Sequence, residues 1–204
     1  MKWGVSLVAL LAVCLSAGAQ TLKPADLLFH VSPSENAITA VTPAMIDHVA
    51  IYLGTDSVIE AIAEGVVITS LSKMLQREEG YYLHGRIKGV DPQRTLSNAR
   101  QFLRRAYDQL YLQDNEAIYC SELVQLSAVD KDGHPLLTTI PMSFHDASGR
   151  ITDYWTDFYQ QHHMEVPEGQ PGTNPGELSQ RKNVKLYQKR IDQHYKTNKK
   201  RGKK

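Results

Sequence analysis

The stretch Ile118-Tyr119-Cys120-Ser121-Glu122-Leu123-Val124 decides the interpretation of this chain, because its pattern changes from extended to helical at a cysteine. Its last two residues are spaced for burial, and the Ser-Glu pair suits a first helical turn, so we predict a helix from Cys120 to about Val129. A cysteine at a helix N-terminus lies beside unpaired N–H groups and the positive end of the helix dipole, which favour the reactive thiolate. Most free cysteines are instead small buried hydrophobic residues, and the local pattern does not separate the two roles.

The number of cysteines bears on whether Cys120 is reactive or structural. The chain has two cysteines, Cys14 and Cys120. Residues 1–19 read as a secretory signal peptide, with a basic start, an apolar run and a small-residue site that ends at Ala19. Cleavage there would leave one thiol in an oxidising compartment without an internal partner. Lipidation of Cys14 is the alternative, since the residues before it loosely resemble a lipobox. We therefore expect an exported protein, in the periplasm or cell envelope, or otherwise secreted.

Charge is unevenly distributed along the chain. Residues 196–204 hold six lysines or arginines and no acidic residue, whereas residues 20–195 carry 16 basic and 22 acidic groups. We predict one domain over residues 20–190 and a basic, disordered tail over residues 191–204. A weak contact of this tail with an anionic envelope surface is the functional alternative. The basic block lacks interleaved aromatic residues, so we expect no nucleic-acid partner.

The pattern of apolar residues predicts an α+β domain with a small antiparallel sheet packed on helices. The predicted strands are 26–30, 48–53, 57–62, 66–69 and 81–88, and the predicted helices are 70–79, 92–112, 120–129 and 151–163. Turn residues at 54–56 and 64–65 join neighbouring strands into hairpins. We expect loops over residues 31–46, 131–150 and 167–176.

A nucleophilic cysteine needs a base, and His48 is the best placed of the eight histidines. It opens a strand whose neighbours suit a sheet core, although a lone histidine in a strand is more often structural. Glu60 lies inside an apolar segment that should form a hairpin with the His48 strand. Burying a lone carboxylate is costly, so we expect Glu60 to pair with His48.

Four blocks of sequence together resemble the YiiX/YaeF-like proteins, which are circularly permuted relatives of the NlpC-type, papain-fold cysteine peptidases. The blocks are Asp26-Leu27-Leu28-Phe29, Asp47-His48-Val49-Ala50-Ile51-Tyr52, Val58-Ile59-Glu60-Ala61 and Tyr119-Cys120-Ser121-Glu122-Leu123-Val124. A later block, Gly172-Thr173-Asn174-Pro175-Gly176-Glu177-Leu178, is similar to a C-terminal signature of envelope members. The resemblance covers roughly residues 24–180, and histidine precedes cysteine as the permutation requires.

The resemblance implies a circularly permuted papain-like (NlpC-type) fold, with Cys120 as nucleophile, His48 as base and Glu60 as the acceptor that orients the histidine. The implied reaction is hydrolysis of an amide in a cell-wall peptide, a peptide or an acylated amine, and a related branch transfers acyl chains from lipids. Tyr119 and Asp47 flank the reactive positions and are candidate substrate-binding residues; simple packing and a strand-start hydrogen bond are their structural alternatives.

One other function is open: a binding protein that uses the same fold to hold a lipid, amino acid or peptide without turnover. We do not expect a metal site, because the chain has no CxxC or HExxH motif and the pair His162-His163 lacks a third ligand at helical spacing. We expect no cofactor, and the sequence does not indicate an oligomeric state.

Overall fold

The described part of the chain contains eight β-strands and five α-helices, and six of these strands form one antiparallel sheet. The structure is a computed structural model that describes residues 21–113 and 116–195, and only the backbone of residues 188 and 189. The strands are β1 (Leu27–Val31), β2 (Ile46–Gly54), β3 (Ser57–Ile62), β4 (Gly65–Ser70), β5 (Tyr81–Ile87), β6 (Ile140–Pro141), β7 (Pro171–Gly172) and β8 (Val184–Ile191). The main sheet has the order β4-β3-β2-β1-β5-β8, and β6 pairs with β7.

The helices cover both faces of this sheet. They are α1 (Leu71–Arg77), α2 (Pro92–Gln101), α3 (Cys120–Ser127), α4 (Asp153–Gln161) and α5 (Pro175–Gln180), and a short 3-10 turn lies at Pro43–Met45. Successive residues of a strand point to opposite faces. In β1, Leu27 and Phe29 therefore join the larger core beneath α2, α3 and α5, whereas Leu28 joins a second cluster with residues of α1. This mixed architecture confirms the predicted α+β fold class.

One predicted helix is wrong in its second half. The pattern over residues 92–112 predicts a single helix, but α2 ends at Gln101, and Arg104 adopts a left-handed φ of 72°. The chain then turns back toward the sheet, where the N–H of Val66 donates to the carbonyl of Arg105 at 2.9 Å. Gly65 makes this approach possible, because it has a φ of 95° and a side chain there would collide with that carbonyl.

The predictions for the C-terminal part of the chain also need correction. The loop expected over residues 167–176 contains β7 and the start of α5, whose N-cap Asn174 accepts a hydrogen bond from the N–H of Glu177 at 2.6 Å. Strand β8 was not among the predicted strands, and it ends at Ile191, where the predicted tail begins. The predicted signal peptide, the lipidation alternative at Cys14 and residues 196–204 of the predicted tail lie outside the described residues.

No helix within residues 21–113 or 116–195 has the length and apolar character that crossing a membrane requires.

Candidate active site

Cys120 is the first residue of α3 and is almost buried, with 4% of its surface exposed. The residues just before Cys120 pair with the extended segment that follows α2. The N–H of Ile118 donates to the carbonyl of Ala106 at 2.9 Å, and Tyr107 and Ile118 form a parallel β-bridge. The chain becomes helical at Cys120 because a helix there buries Leu123 and Val124 against the sheet. Cys120 thus occupies the end of α3 at which the first helical N–H groups have no helical acceptor.

His48 lies on β2, beneath the start of α3. Its Nε2 is 2.9 Å from Oε2 of Glu60, which leaves Nδ1 as the ring nitrogen available to Cys120. Burial alone would lower the pKa of His48, but hydrogen bonds with Cys120 and Glu60 raise it to about 10. Such a value is that of an imidazolium whose positive charge is stabilised by its two hydrogen-bond partners, Cys120 and the carboxylate of Glu60.

Glu60 lies on β3 and is completely buried. Arg77, at the end of α1, donates to both of its oxygens, with 3.0 Å between Nη1 and Oε2. Burial alone would raise the pKa of this carboxyl group, but the hydrogen bonds from His48, Arg77 and Thr69 lower it to about 2. A carboxylate with these partners is ionised at neutral pH and fixes the ring of His48.

Arg77 is a residue of the candidate site that was not predicted from the sequence. The buried charge of Glu60 was a signal that could have pointed to it, because one histidine does not satisfy both oxygens of a buried carboxylate. The arginine itself is the last residue of the short helix α1, and a basic residue in the last turn of a helix is ordinary, so no local pattern marks it. It is half-buried in the structure, and its guanidinium is part of the same charged group as His48 and Glu60.

Asp47 and Tyr119, the two candidate substrate-binding residues, line the same cleft as Cys120, but their polar atoms are bonded within the protein. Oδ1 of Asp47 is 2.6 Å from Nδ1 of His30, and Oδ2 accepts from Nδ2 of Asn36 at 2.7 Å. The hydroxyl of Tyr119 accepts from the N–H of Thr173 at 3.0 Å. Both residues still line the cleft at the sulfur, so a role in substrate binding stays a prediction.

The late block Gly172–Leu178 also lies at this site, since Thr173 contacts the residues on both sides of the cysteine. Its Oγ1 donates to Oγ of Ser121 at 3.0 Å, and its N–H donates to Tyr119. These bonds tie the start of α3 to the segment between β7 and α5, although the two are more than 50 positions apart in sequence.

Two clefts meet at the cysteine and the histidine. The cleft that contains Cys120, here called the cysteine-side cleft, has an empty volume of about 470 Å³. Its lining residues are Ile38, Val41, Thr42, Asp47, Tyr107, Tyr111, Tyr119, Cys120, Ser121, Met142, Ser143, Phe144, Trp155, Thr173, Asn174 and Pro175. The cleft that contains His48, here called the histidine-side cleft, has an empty volume of about 1140 Å³. Its lining residues are Asn36, Ala37, Ile38, Asp47, His48, Ala61, Ile62, Ala63, Arg77, Glu78, Tyr107, Gln109, Tyr111, Tyr154, Trp155 and Phe158. The nucleophile and the base thus open toward different spaces.

Among residues 21–113 and 116–195, two groups have an arrangement that could hold a metal ion. In each, the candidate ligand atoms lie within 4.8 Å of one another: His30, Asp47 and Glu78 form one group, and Asp130, Asp132 and His134 the other. In the first, Nδ1 of His30 and Asp47 lie 2.6 Å apart, a hydrogen-bond distance too short for an ion between them. The second is a surface turn. The absence of a metal from the reaction stays a prediction.

Comparison with known proteins agrees with this fold. The family described as "Permuted papain-like amidase enzyme, YaeF/YiiX, C92 family" matches residues 21–187. A relative named "Probable lipoprotein peptidase YaeF", from Escherichia coli strain K12, is 36% identical over 77 residues, which are 37% of this chain and 28% of that protein. The chain therefore matches little more than a quarter of this relative's length. The crystal structure of the metalloprotein yiiX from Escherichia coli O157:H7 superposes with a TM-score of 0.70 at 18% identity, over 84% of this chain and 99% of that one.

Proposed function

Because the chain belongs to the permuted papain-like amidases of the YaeF/YiiX, C92 family, we propose that it is an exported cysteine hydrolase that cleaves an amide bond. Cys120 is the nucleophile, His48 the acid and base, and Glu60 the carboxylate that orients the histidine. The observation that carries the proposal is the position of His48, which bonds to a buried carboxylate through Nε2 and interacts with Cys120.

The reaction follows from this arrangement. The thiolate of Cys120 attacks the amide carbonyl, and the N–H groups at the start of α3 stabilise the negative oxygen that forms. The imidazolium of His48 donates its proton to the leaving nitrogen, which departs as an amine and leaves a thioester on the sulfur. Neutral His48 then takes a proton from water, which attacks the thioester and releases the acid. Glu60 stays ionised throughout and holds the ring.

The proposed place of action is the cell envelope. The predicted signal peptide supports export, and the name of the relative, a probable lipoprotein peptidase, agrees with an envelope location. A cell-wall peptide, a peptide and an acylated amine all contain the required amide. The basic tail would add a weak electrostatic contact with anionic envelope material.

Alkylation by iodoacetamide tests the nucleophile without knowledge of the substrate. We expect a single adduct on Cys120 at neutral pH, and a much slower reaction in His48→Gln, because the imidazolium that stabilises the thiolate is lost. His134→Gln is the matched control, since this exposed histidine contacts a surface turn. An unreactive Cys120, or an alkylation rate that His48→Gln leaves unchanged, would contradict the catalytic proposal and favour a binding protein on the same fold.

Turnover gives the second test. Release of primary amine from a panel of blocked peptide amides and N-acyl amides should stop in Cys120→Ala, whereas the thermal unfolding midpoint should change little. Retained turnover in that variant would exclude Cys120 as the nucleophile.

A further inference from the structure

A cleft rich in lysine lies away from the candidate active site, at the other end of the main sheet. His48 pairs with His30 near the last residue of β1, whereas this cleft is lined by Asp26, which directly precedes the first. Its empty volume is about 910 Å³. Five basic side chains line this space, here called the lysine cleft: Lys23, Arg86, Lys88, Lys182 and Lys185.

The charge of the lysine cleft is opposite to that of the chain around it. Residues 20–195 carry 16 basic and 22 acidic groups, yet five of those basic groups line this one cleft. They come from separate parts of the chain, namely the segment before β1, the end of β5 and the start of β8. Folding therefore brings like charges together, which costs electrostatic free energy unless a negative ligand offsets it.

Asp26 does not neutralise the lysines, because its charge is matched within the protein. It is the single carboxylate among the described residues that line the cleft, and it is 1% exposed. Arg86 donates to both of its oxygens, at 2.6 Å from Nε and 2.7 Å from Nη2, and Nε2 of His84 is 2.7 Å from Oδ2. Burial alone would raise the pKa of Asp26, but these bonds lower it, so the ionised carboxylate balances Arg86.

The four lysines have no acidic partner of their own. All are exposed, and within residues 21–113 and 116–195 no carboxylate forms an ion pair with any of them. Nζ of Lys185 lies 5.1 Å from the centre of the Tyr187 ring, which stacks on the buried His84 with 4.5 Å between the ring centroids. One ammonium group is thereby held at the wall of the cleft, and its donors face no acceptor that offsets the charge.

The chemistry of these donors selects the ligand. An ammonium group is a compact positive charge with three donors and no acceptor, and lysine is a common phosphate-binding residue. A carboxylate presents two oxygens in one plane, whereas linked or neighbouring phosphates present charged oxygens in several directions. Ammonium groups that surround a space on several sides are therefore better matched by phosphates.

We propose that the lysine cleft is a binding site for phosphate groups, carried either by a soluble di- or triphosphate or by the headgroups of an anionic lipid. The inference does not rest on the proposed function, because neither Cys120, His48 nor Glu60 lines this cleft. Arg86 is left intact in the test, since its replacement would leave the buried Asp26 without its main partner.

Titration calorimetry of the full chain with tripolyphosphate tests the soluble ligand. The double variant Lys182→Gln/Lys185→Gln removes two ammonium groups and leaves the bonds of Asp26 in place. We expect its dissociation constant for tripolyphosphate to be roughly fivefold higher or more, because two ionic contacts are lost. Binding by the wild type should weaken when the salt concentration rises from about 0.05 to 0.5 M, since the ions screen these contacts.

The matched control is the double variant Lys73→Gln/Lys131→Gln. It removes the same charge from two exposed lysines that do not line the cleft. The basic residues 196–204 are present in both double variants, so binding by this segment contributes equally to both. The thermal midpoint and the alkylation rate of Cys120 should match those of the wild type in both proteins.

Cosedimentation with vesicles tests the lipid source of the phosphate. The vesicles contain phosphatidylcholine alone, or phosphatidylcholine and phosphatidylglycerol at a ratio of about 7:3. Binding to the mixed vesicles that falls in the cleft variant and persists in the control would assign the site to lipid headgroups. Tripolyphosphate binding with the same dependence, and without vesicle binding, would assign it to a soluble phosphate.

Three results would overturn the inference. One is an equal effect of the two double variants, which would show that binding follows total charge or the basic tail. Another is a failure of the wild type to bind both tripolyphosphate and the mixed vesicles. The third is binding of citrate as tight as that of tripolyphosphate, which would refute the assignment to phosphate.

Discussion

Arg77 donates hydrogen bonds to both carboxylate oxygens of Glu60, and one of these oxygens also accepts from Nε2 of His48. The base of the candidate site is thus oriented by a carboxylate that is itself held by an arginine from another element. Arg77 is a positioning residue in this arrangement, because it acts on the reaction through Glu60 and His48.

Replacement of Arg77 by Gln should leave the buried charge of Glu60 with one partner fewer. We expect the free energy of unfolding to fall by roughly 3 kcal/mol, as when one partner of a buried ion pair is removed. Urea denaturation measures this, and Lys73→Gln on the exposed side of the same helix is the control. Arg77→Lys should recover part of the stability, since it restores the charge but not the paired donors. A variant as stable as the wild type would show that the arginine does not hold Glu60.

The pH dependence of kcat/KM should reflect the proton on His48. Because the pKa of this histidine is raised to about 10, the imidazolium that protonates the leaving amine persists to that pH, and activity should fall as the pH rises through it. Glu60→Gln removes one of the two groups that raise this pKa. The alkaline limb should then move to lower pH, and kcat should drop roughly 10²- to 10⁴-fold. An alkaline limb in the same place in both proteins would refute the assigned role of Glu60.

Stability should also depend on pH through His30 and Asp47. Burial alone would lower the pKa of His30, but its bond to Asp47 raises it, so this contribution is complete below about 6.5 and disappears as the pH rises through the raised value. Burial alone would raise the pKa of Asp47, but His30 lowers it, so its contribution is complete above about 3.8 and disappears as the pH falls through the lowered value.

The cost of Asp47→Asn should therefore be largest between about pH 4 and 6.5 and smaller at pH 9, by roughly 1–3 kcal/mol at its maximum. Urea denaturation at pH 5.5 and pH 9 measures the difference. The exposed Asp132→Asn serves as the reference. An equal cost of Asp47→Asn at both pH values would mean that the charge of the pair contributes nothing to folding.

Tyr119→Phe separates the structural and substrate-binding roles of this side chain. The hydroxyl accepts from the N–H of Thr173 and from Nε2 of Gln113, at 3.0 and 3.2 Å. Its removal leaves the buried N–H of Thr173 without this acceptor, so we expect unfolding to become easier by roughly 1–2 kcal/mol, with KM almost unchanged. A large rise in KM at unchanged stability would instead support contact with substrate.

Chelation tests the expectation that no metal takes part. The hydrogen bond between His30 and Asp47 already uses the ring nitrogen that a ligand would offer. Dialysis against EDTA should leave amide hydrolysis and the thermal midpoint unchanged. Loss of either property on dialysis, with recovery on addition of Zn²⁺, would contradict this expectation.

The sequence pointed to the centre of the candidate site because its residues break local patterns. A cysteine at the change from extended to helical structure, and a carboxylate inside an apolar strand, both demand an explanation that packing alone does not provide. The hairpin between β2 and β3 then brings Glu60 to His48 over a short stretch of chain. Local signals were enough for this pair.

Other features depend on contacts that leave little trace in local sequence. The helical spacing of Leu103, Ala106 and Leu110 is genuine, yet the chain there pairs with Ile118 and Val66 instead. Strand β8 lies at the edge of the sheet, and Lys185 within it is exposed. Its sequence therefore has no apolar run that would mark it as a strand. Contacts with residues distant in sequence determine the conformation of both segments. Such contacts also bring Arg77 to Glu60.

The order of elements along the chain has a consequence for how the protein becomes reactive. During synthesis, strand β2 with His48 emerges well before Cys120, and Thr173, whose hydroxyl bonds to the start of α3, follows more than 50 residues after the cysteine. A nascent chain therefore contains its thiol well before that anchor exists. We expect chemical competence to appear late in folding, after α5 has docked, so that a chain still crossing a membrane would be inert toward amides.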